Sequence, residues 1–145
     1  MATITPFLWF PGNMAHAVEF YRAVFKDGAR LAAQSAMTAT LELLGQRLLL
    51  LNAHPHHTFN ESISLFIECD TQDEVDYYWN ALAAGGTEQM CGWLKDRFGL
   101  SWQVIPRALG RYLTDSNRDK AERVMQRMLT MRKIVIADLG EAYAS

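Results

Sequence analysis

Three of the chain's four histidines, His54, His56 and His57, fall within one short stretch around Pro55. Neutral imidazole is the commonest metal ligand, so this cluster is the first place to look for metal chemistry. The stretch is polar and loop-like, and no helix or strand brings two of the rings onto one face. A solvated loop is the reading, with adventitious nickel or zinc as its alternative. His16 lies beside an apolar helical stripe and is read as partly exposed. Cys91, next to Gly92 and Trp93, is a nucleophile only if a base lies beside it, and no histidine follows His57. It reads better as a small hydrophobe. Cys69 has the same strand parity as Ile63, Leu65 and Ile67 and is expected to pack beneath a helix. Ser64, Phe66 and Glu68 take the opposite face of that strand. A carboxylate at Glu68 either orients a cationic or hydroxylated ligand or meets solvent at the mouth of a cavity. Trp93 and Trp102 flank the turn Asp96–Gly99, and a place in the core or, for one of them, a cavity wall is open to each.

The elements that would position these side chains follow from periodicity. Ile4 to Phe10 is rich in β-formers and closes on Pro11-Gly12, which predicts a strand and a turn. Asn13 can cap a helix whose apolar face is Met14, Ala17, Val18, Tyr21, Val24 and Phe25, with Gly28 just past its end. Strands are expected at about Ala29–Ser35, Met37–Leu44 and Arg47–Ala53, with a hairpin turn at Gly45-Gln46. The order then repeats. Ile63–Cys69 is a strand, and Thr71-x-x-Glu74 is a capping box. Val75, Tyr78, Trp79, Leu82 and Ala83 form a helical stripe, stopped by Gly85-Gly86. Strands are expected at about Glu88–Gly92, Trp93–Lys95 and Leu100–Ile105. The chain thus divides into a first module, 1–53, a second, 63–106, and a helical tail, 107–145, in which Ser116-x-x-Asp119 caps one helix. Met125, Met128 and Met131 read as a docking face, against the sheet or a second subunit.

Composition sets the outer limits. At 145 residues, with 50% hydrophobic and 21% charged side chains, the chain can bury a core without a metal or disulfide staple. A net charge of −2 offers no basic field for nucleic acid or an anionic membrane. Two cysteines make no disulfide framework and suit a reducing cytosol. The amino-terminal residues lack the features of a signal peptide, and Leu43–Leu51 is too short to span a bilayer. A cytoplasmic protein is expected.

Five stretches carry a resemblance: Thr5–Phe10 (TPFLWF), Ala17–Tyr21 (AVEFY), Phe59–Ser64 (FNESIS), Val124–Ile134 (VMQRMLTMRKI) and, most specific, Cys91–Pro106 (CGWLKDRFGLSWQVIP). In these the chain resembles the PhnB-like, or 3-demethylubiquinone-9 3-methyltransferase-like, branch of the vicinal oxygen chelate (glyoxalase/bleomycin-resistance/dioxygenase) superfamily. The resemblance implies an α+β fold of paired βαβββ modules about a shared cavity, a C-terminal helical extension and a homodimer. A ferredoxin-like dimeric barrel is the structural alternative. In metal-dependent members the ligands sit on the first and fourth strands of each module. By resemblance those positions fall here on Pro6, Leu48, Ser64 and Gln103. Two of these have no donor and two are weak neutral ones, so neither metal nor other cofactor is expected. A shifted alignment brings in Asn52 or Glu68, and the cavity candidates are Asn52, Ser64, Glu68, Trp102 and Gln103. No Gly-rich turn follows a strand as nucleotide-type methyl donors require, so the methyltransferase label finds no motif. The first expectation is a metal-free small-molecule-binding protein. The alternatives are an atypical enzyme using Ser64, Glu68, Gln103 and Cys91, and a dimeric interaction protein with a vestigial cavity.

Overall fold

A computed structural model describes all residues, Met1–Ser145. The chain folds as two compact units, Met1–Thr58 and Phe59–Ser145, the second of which includes the tail.

In the first unit, β1 (Phe7–Phe10) leads to α1 (Met14–Phe25), a 3-10 turn (Lys26–Gly28), and the strands β2 (Ala29–Gln34), β3 (Thr38–Leu43) and β4 (Gln46–Asn52). The sheet order is β1-β4-β3-β2, with β1 parallel to β4 and the rest antiparallel. Leu8 and Phe10, Leu48 and Leu50, and Ala39, Leu41 and Leu43 are buried on one face. The stripe of α1 packs on them, with Met14, Ala17, Val18, Tyr21, Val24 and Phe25 all buried. Period-2 alternation meeting period-3.6 alternation makes this core. The hairpin turn falls one residue earlier than expected, on Leu44-Gly45, both in the left-handed region (φ 50° and 85°), because Leu43 pairs with Gln46.

The second unit repeats the order. β5 (Ser64–Cys69) leads to α2 (Gln72–Ala83), then β6 (Thr87–Glu88), β7 (Trp93–Lys95) and β8 (Ser101–Pro106), in sheet order β5-β8-β7-β6. β5 runs parallel to β8, and β7 antiparallel to it. Leu65, Ile67 and Cys69 share the side of Trp102, Val104 and Pro106, and Val75, Trp79 and Leu82 of α2 are buried. The capping box forms, with a shift of one residue. Glu74 N donates to Thr71 Oγ1 at 3.2 Å, while Glu74 Oε1 accepts from Asp70 N rather than from the cap residue.

The tail is α3 (Arg107–Leu113), α4 (Arg118–Met128) and α5 (Ile136–Ala144). Its apolar face is spent within the chain: Leu109, Val124, Met131, Ile134 and Leu139 form one buried cluster with Ile105 of β8. Met128 packs against that cluster, so Met128 and Met131 of the methionine stripe are used within the unit's own core. The extended link before α5 is bound to the sheet, because Cys91 N donates to Met131 O and Gly92 N to Arg132 O. Gln72 at the start of α2 clamps it from the other side. Its Nε2 donates to Ile134 O at 3.0 Å and its Oε1 accepts from Ile136 N at 2.7 Å.

Further expectations about boundaries and caps are corrected. β1 begins at Phe7, not Ile4, and the strand expected over Glu88–Gly92 shrinks to Thr87–Glu88, because the chain turns at Cys91 (φ 62°) and Gly92 (φ 81°) to meet the tail. Asn13 makes no side-chain cap; Asn52 Oδ1 from the end of β4 accepts from Met14 N instead. Asn117, not Ser116, caps α4 by accepting from Lys120 N.

Candidate functional site

In each unit one sheet face carries α1 or α2 and the other, termed helix-free, does not, although in the second unit the end of that face at Ile105 meets the tail cluster. In the second unit, the side of the sheet away from α2 is arranged in three levels set by strand register. At the first level Ser64, Ser101 and Lys95 lie side by side on β5, β8 and β7. Phe66, Gln103 and Trp93 form the second level, and Glu68 and Ile105 the third. A parallel pair flanked by an antiparallel strand places directly paired residues on one side, so these assignments follow from the ladder itself.

The second level is amphipathic. Phe66 is 54% exposed although it is a large hydrophobe on a strand, while Trp93 and Gln103 are half-buried. Gln103 Nε2 donates to Ser64 Oγ at 3.0 Å, tying this level to the first. That bond uses a lone pair of the serine oxygen and leaves its O–H free to donate. At the first level Ser101 is fully buried and its Oγ has no hydrogen-bond partner. Lys95 is ion-paired with Glu61, which lies three residues before β5. The hydrogen bond from Lys95 holds the Glu61 carboxyl below the usual carboxylate range. The third level is closed. Ile105 belongs to the tail's buried cluster, and Arg107 Nη1 meets Glu68 Oε2 at 3.1 Å while its Nε donates to Asp70 Oδ1 at 2.8 Å.

The cavity candidates separate on this geometry. Ser64 and Gln103 share the helix-free face and are bonded to one another. Glu68 shares that face but is paired with Arg107, so its charge is met within the chain. Trp102 is on the other side, 2% exposed, donating from Nε1 to Asp96 Oδ2 at 2.9 Å. Asp96, itself buried, also accepts from Phe98 N and Leu100 N, which makes it the knot of the β7–β8 turn. Of the two tryptophans flanking that turn, Trp93 is the one on the helix-free face. Asn52 pairs with Phe10 on the α1 side, and its amide is used at both ends, from Met14 N and to Ala36 O. Lys95, Ser101 and Glu61 were not among the candidates, and Trp93 had been open, like Trp102, to a place in the core or on a cavity wall. Their signal was strand parity: once Gln103 is placed, Ser101 two residues earlier shares its side, and the register adds Trp93 and Lys95.

The first unit gives a contrasting face. Leu48 is buried beneath α1, and Pro6 has the parity of Leu8 and Phe10 on that same side. The helix-free side instead carries Phe7 and Trp9 on β1, paired with Leu49 and Leu51 on β4. The histidine loop returns to this strand. Trp9 Nε1 donates to His54 O at 2.9 Å, and the His57 ring stands edge-on to Trp9 with centroids 4.6 Å apart.

The fold class raises the question of a divalent metal, and the residues present do not fit one. Phe7, Trp9, Leu49 and Leu51 have no carboxylate, imidazole or thiolate, and Ser64, Ser101 and Gln103 offer only neutral oxygens. No three His, Cys, Asp or Glu side chains are grouped so as to hold a metal ion. Burial pushes the Cys69 thiol up to about 11, the opposite of what a ligand or nucleophile needs. No helix is long and apolar enough to cross a membrane.

Known proteins agree with this architecture. The PhnB protein of Bacillus cereus is 27% identical, with a TM-score of 0.65 over 72% of this chain and 99% of its own. Protein PA1353 of Pseudomonas aeruginosa is 24% identical, with a TM-score of 0.61 over 73% of this chain and 98% of its own. FosX, a fosfomycin resistance protein of Listeria monocytogenes whose structure holds Mn(II), has the same fold at 10% identity, a TM-score of 0.52, and coverage of 70% of this chain and 87% of its own. No curated protein matches the chain. The family model described as 3-demethylubiquinone-9 3-methyltransferase matches residues 2–105, both βαβββ units without the tail helices α3–α5. The chain therefore belongs to that PhnB-like family and has the α+β, glyoxalase/bleomycin-resistance-like fold of the vicinal oxygen chelate proteins.

Proposed function

We propose that the protein binds a small organic molecule without a metal, on the helix-free face of β5, β8 and β7. The observation that carries this reading is the second level of that face: an exposed Phe66 and a half-buried Trp93 flank Gln103, whose amide is fixed on Ser64. Apolar surface around a few oriented polar groups is the ordinary composition of a small-molecule site. Glu68, held by Arg107, marks the closed end of the site and is not its anchor. No step of methyl transfer or metal-assisted chemistry is assigned to these residues, because the donor set supplies neither.

The test is a fragment panel followed by 15N-resolved NMR on the full chain. Amide shifts are expected to concentrate at Ser64, Phe66, Trp93 and Gln103. A binder present at 100 times its Kd should raise stability by about 2.7 kcal/mol. Shifts confined to the His54–His57 loop, or to the tail, would contradict the reading. We propose further that two chains associate, since Ile4, Phe7 and Ile63 are exposed hydrophobes at the starts of strands β1 and β5.

A further inference from the structure

The polar level of the helix-free face holds a charge pair placed across a strand. Glu61 precedes β5, Lys95 is on β7, and β8 runs between β5 and β7. The bridge between them therefore crosses the start of β8 at the level of Ser101, which pairs with Ser64 on one side and Lys95 on the other. Ser101 is 0% exposed, and its hydroxyl is without a partner. A buried hydroxyl left unpaired is costly, and its presence beside a cation and a second free O–H needs an explanation.

We infer that this level recognises the carboxylate of a small organic acid, which replaces Glu61 on the Lys95 ammonium and accepts a hydrogen bond from Ser101 Oγ–H. The inference rests on the reading of this face as the binding face and names the ligand class. Glu61 is then the internal stand-in for the ligand: a carboxylate already on the cation, borne on a half-exposed side chain that can swing to water. Ser64, whose oxygen accepts from Gln103, keeps its proton for the second carboxylate oxygen. The next level supplies the rest of the chemistry, because Phe66 and Trp93 lie one strand step beyond Ser64 and Lys95 and offer an apolar bed for the acid's body. A neutral ligand that displaced Glu61 would leave Lys95 unpaired, and a cation would face it. One ammonium matches one carboxylate. The cation just past β8, Arg107 at the start of α3, is already shared between Glu68 and Asp70.

The probes are phenylacetate and its neutral isostere phenylacetamide, titrated into the full chain by 15N-resolved NMR. Phenylacetate is expected to shift Ser64, Lys95 and Ser101 and to bind at least about tenfold more tightly than the amide, since only the acid forms the charge-assisted bonds. Glu61→Gln removes the internal competitor, whose tethering gives it a high effective concentration, so phenylacetate should bind at least about threefold more tightly. Lys95→Gln should weaken it at least about tenfold. Ser101→Ala should weaken binding without lowering stability, because the hydroxyl has no partner in the free protein; a drop in stability with affinity unchanged would count against the inference. Equal affinity for acid and amide, or a Glu61→Gln variant that binds phenylacetate less tightly, overturns the acid class and leaves the face as a binding face. Shifts that avoid β5, β7 and β8, or none from either probe at its solubility limit, overturn both.

Discussion

Asp96 shows how one side chain fixes a turn and, through it, the site. Its two carboxylate oxygens take Phe98 N, Leu100 N and Trp102 Nε1, so the β7–β8 hairpin closes with Lys95 and Ser101 paired. Asp96→Ala strands these donors, the buried indole among them, at about 1–3 kcal/mol each, and at least about 3 kcal/mol of stability should be lost. Asp96→Asn keeps an acceptor for the turn amides but sets an N–H against the indole, so its cost should be smaller. Urea unfolding of both variants decides, and equal midpoints would contradict the assigned role. The two thiols make a second contrast. Cys69 is buried, with its pKa raised from 9.0 to about 11, whereas Cys91 is half-buried. Iodoacetamide at pH 8 should label Cys91 first in the native protein and Cys69 only after unfolding. Because the raised value belongs to the folded state, the neutral thiol's contribution is complete below pH 9 and is lost as pH rises through about 11. Much of this scale was legible. Cys69 in the core and Asp96 at a turn follow from parity and turn chemistry. The choice between Trp93 and Trp102 did not, since both flank the same turn and only the register of β7 on β8 separates them.

At the scale of elements, the tail's link is the part most open to test. Residues 131–136 are held by Cys91 N, Gly92 N and both ends of the Gln72 amide, and Lys133 pairs with Asp76 of α2. Gln72→Ala should cost about 1–3 kcal/mol and raise amide exchange over 131–136 before it touches β1–β4. Gly92 is the sharper case. At φ 81° an added Cβ would lie 2.6 Å from Ile105 Cδ1, so Gly92→Ala combines strain with overpacking and should cost more than about 2 kcal/mol. The link also has a pH signature. The hydrogen bond from Lys133 holds the Asp76 carboxyl below its ordinary 3.8, and the Asn117 N–H and Tyr143 O–H do the same for Asp115 beside α4. A depressed carboxylate stabilises the fold above its unfolded value, so this contribution is present above about pH 3.8 and lost as pH falls through the folded values. Protection factors at 131–136, which remove the slower intrinsic exchange of amides in acid, should therefore fall on acidification, and unchanged or higher protection factors in acid would contradict the pairing. The strand–helix–three-strand order of each unit was readable, because long periodic stripes and the Thr71–Glu74 cap are local signals. The helix caps at Asn52 and Asn117 were not. Asn52 reaches Met14 from a strand 38 residues away, a tertiary choice that overrides the nearer Asn13.

For the molecule as a whole, the duplicated order carries two faces of different chemistry. The first unit offers Phe7, Trp9, Leu49 and Leu51, and the second offers Lys95, Ser101, Ser64 and Gln103 between Phe66 and Trp93. Association of two chains should give light scattering near twice 16.5 kDa at micromolar concentration. Charged substitutions at Phe7 should reduce it, and a mass of 16.5 kDa at all concentrations would contradict it. The resemblance, in Phe59–Ser64 and Cys91–Pro106 among its stretches, pointed to the fold and to Ser64 and Gln103 as family ligand positions. It did not disclose that Pro6 and Leu48 are on the helix side, because a one-residue slip in phase exchanges the faces of a strand. On neither face do three carboxylate, imidazole or thiolate side chains come together, Glu68 being taken up by Arg107 and Glu42 by Arg30, which is why we propose binding without a divalent metal. Elemental analysis of the full chain purified without a polyhistidine tag tests it most directly. Less than about 0.1 equivalent of zinc, iron, nickel or manganese per chain is expected, since neutral oxygens do not offset the ion's water shell; close to one equivalent, lost on Gln103→Ala and kept on His54→Ala, would contradict it.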